Sequence, residues 1–177
     1  MIAEGKRIYL RPLMEQDAAI ILASAKDEEI RYMTGTTAEF TLEQIKAHIR
    51  AIKQEPNRHD FAVCLKGSDE IIGELTVDVD KENKKAAFRI ALSSISLTGK
   101  GFGTEAIKLV QHFVFEELGL NRLQLEVFSH NERGIRAYEK AGFVREGILR
   151  QSLNWNGSYS DEIIMAMLKS DYRKMSL

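Results

Sequence analysis

The sequence predicts a mixed, mostly antiparallel central sheet flanked by helices, an α/β or α+β sandwich. Three observations predict it. An antiparallel meander of strand-like segments occupies residues 60–92, joined by short polar turns. The second half then alternates strand and helix in βαβαβ order, which implies crossover connections. The helical segments are amphipathic, the form expected of elements that cover a sheet.

Taken in order, Arg7 to Leu13 alternates with Ile8 and Leu10 on one face and reads as a strand. Residues 15–25 carry Ala18, Ile21, Leu22 and Ala25 at helical spacing. The stretch from Asp27 to Glu39, with Met33-Thr-Gly-Thr-Thr37, reads as a mobile connection. Thr41-Leu-Glu-Gln44 is a capping box, and Leu42, Ile45, Ile49 and Ile52 follow, predicting a helix that ends near Pro56. Strands are expected at 60–65 and 71–78 around the turn Lys66-Gly-Ser-Asp69, then at 86–92. The clearest helix spans 104–118, with Ala106, Leu109, Val110, Phe113, Val114 and Leu118 on one side and Gly119 as its cap. Arg122–Phe128 alternates strictly, with Leu123, Leu125 and Val127 facing inward. A short helix begins within Ser129-His-Asn-Glu132 and runs to Ala141-Gly142. The final strands, 143–155 and 159–168, meet at Asn156-Gly157, a hairpin signal.

Composition narrows the function classes. The chain has 177 residues, 44% of them hydrophobic, which suits a single domain over 1–177 with a core of its own. Lys and Arg number 25 against 26 Asp and Glu, a balance that argues against broad binding to nucleic acid or an anionic membrane. The longest apolar run, Ile163–Leu168, is far short of the ~20 residues of a membrane span. With no signal-peptide core at the N-terminus, a soluble cytoplasmic protein is expected. Cys64 is the only cysteine and reads as a buried, inert thiol. The histidines, 48, 59, 112 and 130, lack metal-ligand spacing, so no metal is expected.

The chemistry concentrates in Ser96-Leu-Thr-Gly-Lys-Gly-Phe-Gly-Thr-Glu105, between a strand and the strongest helix. Alternating Gly99, Gly101 and Gly103 let backbone amides converge beside a helix N-terminus, a combination that suits a phosphate or pyrophosphate. The spacing matches neither the dinucleotide fingerprint nor the phosphate loop of nucleotide hydrolases.

Gly99-Lys-Gly-Phe-Gly-Thr-Glu-Ala106 and Asn131-Glu-Arg-Gly-Ile-Arg-Ala-Tyr-Glu-Lys-Ala-Gly-Phe143 resemble the two signature segments of the GNAT acetyltransferase superfamily. Ile8-Tyr-Leu-Arg-Pro12 and the closing hairpin resemble its RimJ/RimL and spermidine N-acetyltransferase branch. The resemblance implies acetyl-CoA as donor, an amine as acceptor and a homodimer. It implies that amides from Thr98 through Gly99, Lys100, Gly101, Phe102 and Gly103 to Thr104 hold the pyrophosphate. The edge at Ile90, Ala91 and Leu92 would bind the pantetheine arm like an added strand, and Asn131 would reach the thioester end. Arg133, Arg136 and Lys140 form a charged face, from which Arg136 is assigned to a CoA phosphate. Tyr138 would face the sulfur as general acid. Core packing for Tyr138, and a Ser129/Glu132 capping box beside Asn131, are the competing readings.

The chain departs from the pattern at Thr98, where Gln or Arg is usual, and at Ala87, where a glutamate is often found. Glu74 then becomes the candidate base, with a solvent-facing strand residue as the alternative reading. Without a base on the central strand, an acceptor of low pKa is favoured. Deprotonation at pH 7 costs roughly 1 kcal/mol for an α-amine and roughly 4.6 kcal/mol for a lysine-like amine. A peptide N-terminal α-amine is therefore expected, with a polyamine or a noncatalytic acyl-CoA-binding module as alternatives. Tyr32, Met33, Trp155, Tyr159 and Asp161 are the expected acceptor walls.

Overall fold

The structure, a computed structural model, describes residues 3–175. Eight strands form one sheet in the order β1-β2-β3-β4-β5-β6-β8-β7. They are β1 (Ala3–Glu4), β2 (Ile8–Pro12), β3 (Arg58–Leu65), β4 (Ile71–Asp80), β5 (Lys85–Leu92), β6 (Arg122–Phe128), β7 (Val144–Trp155) and β8 (Ser158–Leu168). Every neighbouring pair is antiparallel except β5 and β6. The helices are α1 (Ala18–Lys26), α2 (Glu28–Thr34), α3 (Leu42–Ile52), α4 (Phe102–His112), α5 (Glu132–Lys140) and α6 (Lys169–Met175). None of them is long and apolar enough to cross a membrane.

Each sheet face has its own core. Phe61, Val63, Leu75, Val77 and Phe88 pack with Ala106, Val110 and Ile135 beneath α4 and α5. Ala62 and Cys64 point the other way, into a smaller cluster with Ala18, Ile45, Ile49 and Ile52 of α1 and α3. The alternation of β3 explains this, because successive side chains leave a strand on opposite faces. Burial pushes the Cys64 thiol pKa up, which fits the expected inert role.

Most expected elements form, with differences at their ends. The Asp27–Glu39 segment is not a simple connection: its first half is α2, capped by the Asp27 side chain accepting from the Ile30 amide at 2.9 Å. Gly35, at φ 67°, ends it, and a Cβ there would collide with Phe128. Helix α3 ends at Ile52, ahead of Pro56. Helix α4 starts at Phe102 rather than Thr104, and its end widens into a π-turn over Phe113–Glu117. Three consecutive buried residues, Phe113, Val114 and Phe115, fall within that turn. The closing hairpin turns on Asn156 and Gly157, both at positive φ.

The pairing of β5 with β6 sets up everything below. It covers only Lys85↔Arg122, Ala86↔Leu123 and Ala87↔Gln124. Beyond Ala87 the strands part, while β4 on one side and β8 on the other stay paired with them. A wedge opens in the sheet between Phe88–Leu92 and Leu125–Phe128.

A buried ion pair ties the chain's start to α1. Asp17, 2% exposed, accepts two hydrogen bonds from Arg11 at 2.7 and 2.9 Å and one from the Met14 amide at 2.8 Å. Asp17→Ala strands the Arg11 charge and is expected to lower unfolding free energy by about 3 kcal/mol, read from urea denaturation. Asp17→Asn, which keeps an acceptor for the Met14 amide, should lose less.

Candidate active site

The wedge holds a cavity of about 380 Å³. Ile90, Ala91 and Leu92 form one wall, the first turns of α4 and α5 the floor, and Ile30, Met33 and Thr34 of α2 part of the rim. Past Ala87 the outer edge of β5 has no strand partner, so the main chain from Ile90 to Leu92 can pair with an extended ligand.

At the floor, Gly99 and Gly101 take positive φ, 73° and 85°. Gly99, Gly101, Gly103 and Thr104 line the cavity; Lys100 and Phe102 do not. No turn or cap bond consumes the amides of residues 99–104, and the first amides of α4 have no partner within the helix. These amides and the helix dipole make an anion cradle. Thr98 differs from expectation. Its amide already donates to the Ile95 carbonyl at 3.0 Å, so it is not a pyrophosphate donor. The Thr98 hydroxyl donates to that same carbonyl at 2.7 Å and accepts from Arg133 at 2.9 Å. Thr98 therefore anchors the loop and Arg133, and it too lines the cavity.

Two signature residues enter from α5. Asn131, not a Ser129/Glu132 box, is the N-cap: its Oδ1 accepts from the Gly134 amide at 3.0 Å. Its Nδ2 has no partner among the described residues, and Asn131 lines the cavity, so the cap leaves that donor available there. Tyr138 is 9% exposed, with its ring edge-on to Phe88 and Phe143. Among the described residues its hydroxyl has no partner and no fully buried side-chain polar atom is left unpaired, so the hydroxyl keeps access to the cavity it lines. Burial pushes its pKa up to about 12. Arg133, Arg136 and Lys140 also line the cavity, and no carboxylate among the described residues does.

Glu74 is not among the lining residues. It pairs with Ala91 across β4 and β5, so its side chain leaves the sheet on the same face, one strand behind the wall. Burial, then Asp60, raises its pKa, and Arg89 and Arg58 pull it down. It is not the freely solvated strand residue of the alternative reading. Of the expected acceptor walls, Met33 lines the cavity and Tyr32 lies beside it on α2, stacked on His130 at 3.9 Å and tilted against Trp155 at 5.5 Å. Tyr159 stands apart, 59% exposed. Asp161 is engaged within the hairpin, accepting from the Gln151 amide at 2.8 Å, so its carboxylate is a structural bracket.

The chain matches the acetyltransferase (GNAT) domain family over residues 7–144. It belongs to the GNAT acetyltransferases. It is similar to the probable N-acetyltransferase YjcK of Bacillus subtilis, with 30% identity across 95% of this chain and 97% of the relative. It is also 30% identical to the spermidine N(1)-acetyltransferase of Escherichia coli K12, covering 93% of this chain and 88% of the relative. The spermidine N-acetyltransferase of Vibrio cholerae, solved with CoA and spermine, has the same fold. Its TM-score is 0.88 at 24% identity, covering 94% of this chain and 98% of that one.

This acetyltransferase uses acetyl-CoA, and its cavity fits that donor: an open strand edge, a cradle of amides and three cations suit a long, polyanionic molecule. Lining residues not singled out from sequence include Ile30, Thr34, Ser94, Ile95 and Ile107. Those on α2 went unseen because α2 itself did, although Asp27, two acids in the first turn and Gly35 are its start and stop signals.

The double role of Asn131 is separable. Asn131→Asp keeps an N-cap acceptor and should retain thermal stability while weakening CoA binding in calorimetry. Asn131→Ala should lose CoA affinity and also about 1 kcal/mol of stability.

Proposed function

We propose that the acceptor is an α-amine, such as a protein or peptide N-terminus, and that Glu74 and Tyr138 manage the protons. The absence of a base on the cavity wall carries this reading: among the described residues no carboxylate lines it, so the amine must lose its proton through water, which favours an acceptor of low pKa. A lysine-like or polyamine ammonium costs roughly 4.6 kcal/mol to deprotonate at pH 7. An α-amine brings a single charge and gives it up at pH 7 for roughly 1 kcal/mol.

When bound, acetyl-CoA supplies an activated thioester: the amine nitrogen forms a C–N bond to the carbonyl carbon, and the C–S bond breaks. The residues' own tasks follow. The amides of Gly99, Gly101, Gly103 and Thr104 hold the pyrophosphate, with Arg136 on a phosphate and the Ile90–Leu92 edge on the pantetheine arm. The free Nδ2 of Asn131 donates to the thioester end. Glu74, whose raised pKa makes it a better base than an ordinary carboxylate, takes the ammonium proton through water. Tyr138, with its pKa near 12, stays protonated throughout the neutral range and delivers a proton to the departing sulfur. Tyr32 and Met33 on α2 face the incoming amine.

One observation favours a second reading, a polyamine acceptor: the relatives include a spermidine N(1)-acetyltransferase aligned over 93% of the chain. Asp27, Glu28 and Glu29 at the start of α2 would then provide the attraction, with Glu29 at 3.4 Å from Arg133.

A thiol-release assay with acetyl-CoA tests the two readings, against alanine- and serine-starting peptides, spermidine and spermine. Turnover on the peptides is expected; turnover on the polyamines alone overturns the α-amine reading. Tyr138→Phe should reduce kcat at least tenfold, the range of a lost general acid, and leave the melting temperature near that of the parent. A parent-like rate would remove Tyr138 from the chemistry. The pH profile carries the signs of both groups. A base with a raised pKa makes activity fall as pH drops through that pKa, and Glu74→Gln should erase this limb. An acid near 12 adds no descending limb below about pH 10.

A further inference from the structure

Glu105 closes the glycine-rich signature, yet it does not line the cavity. Its Oε1 accepts from two backbone amides nearly a hundred residues away, Arg7 at 2.7 Å and Ile8 at 3.3 Å. Its Oε2 accepts from Arg7 Nε at 3.0 Å. The same guanidinium lies 4.7 Å over the Phe102 ring, and its Nη1 donates to the Lys100 carbonyl at 2.9 Å. The strap is tightly fitted. A Cβ on Gly101 would lie 3.0 Å from Arg7 Nη2, and one on Gly5 would lie 2.5 Å from Glu105 Oε1.

We infer that Arg7 and Glu105 are positioning residues for the donor, holding the Lys100–Gly101 peptide with its N–H turned into the cavity. The geometry of the peptide group makes the argument. All peptide bonds are trans, and in a trans peptide the C=O and N–H point in opposite directions. Arg7, Glu105 and Lys100 lie off the cavity wall, whereas Gly99 and Gly101 line it. A Lys100 carbonyl tied outward to Arg7 therefore leaves the Gly101 N–H facing inward. Gly99 and Gly101 are free to rotate without such a tether, because glycine is the residue least restrained by its side chain. Glu105 locks the guanidinium through Nε and is itself locked by the Arg7 and Ile8 amides at the start of β2, so the loop is tied to that strand. Desolvation opposes the Glu105 charge, but these donors more than offset it and hold its carboxyl below the ordinary range.

The inference rests on the pyrophosphate lying at the glycine loop, and calorimetry with CoA and with pantetheine, which lacks the pyrophosphate, separates the two. The parent should bind CoA far more tightly than pantetheine. Arg7→Ala should weaken CoA binding by about tenfold or more, the effect of one lost hydrogen bond to a charged group, and leave pantetheine binding unchanged. Arg7→Lys keeps the charge but not the fork that reaches Glu105 and Lys100 together, so it too should lose CoA affinity. Glu105→Gln, a milder change that keeps one acceptor, should show a smaller loss confined to CoA. Unchanged CoA affinity in Arg7→Ala overturns the inference, as does equal loss for both ligands, which would mark general damage to the fold. Full affinity in Arg7→Lys would replace positioning with simple charge attraction. Equal binding of CoA and pantetheine by the parent would remove the pyrophosphate from the loop, and the inference with it.

Discussion

The parallel pairing of β5 with β6 stops after Ala87↔Gln124, and the donor cavity exists because of that stop. Strands that diverge in mid-sheet leave main-chain donors and acceptors without partners, which a soluble fold tolerates only where water or a ligand reaches them. Here both walls stay rigid, because β4 and β8 remain paired on their far sides. The opening is thus a fixed slot, with α4 and α5 directing their first turns into it and α2 forming part of its rim.

Charge is distributed on the same plan. The chain as a whole is nearly neutral, at −1, yet the slot is lined by Arg133, Arg136 and Lys140 with no acid among them. The compensating carboxylates are held just outside: Glu29 pairs with Arg133, Glu132 with Arg136, and Glu105 faces Arg7 behind the loop. A net charge says little about a local field when opposite charges are sorted this finely.

Much of this arrangement could be read from the chain alone. The strands alternate where expected, and the glycines that take positive φ in the loop are those whose spacing suggested an anion cradle. Other features resisted for physical reasons. Helix α2 has seven residues, too few for an apolar period to stand out, so only its end signals could have shown it. The two-residue β1 carries no pattern of its own. The Thr98 amide is lost to a short 3-10 turn over Ile95–Leu97, whose hydrogen bond no composition rule anticipates. The contact between Arg7 and Glu105 depends on β2 lying against α4, a product of sheet order rather than of local sequence. Tyr159 and Asp161 share the hairpin with Trp155, but strand alternation turns both to the face opposite Trp155 and its partner Ser158, and the irregular stretch at Gln151 engages Asp161.

The donor slot is built chiefly from main chain: a strand edge, a run of amides and a helix end. Main chain is common to all residues, so drift in the side chains of the loop or of β5 leaves recognition largely intact provided the backbone path survives. Thr98 in the loop and Ala87 on β5 are compatible with the opening for that reason. Ancestry therefore transmits the donor site together with the architecture. Contacts made by side chains, such as those of Tyr32 and Met33 on α2, have no such protection and change with every substitution.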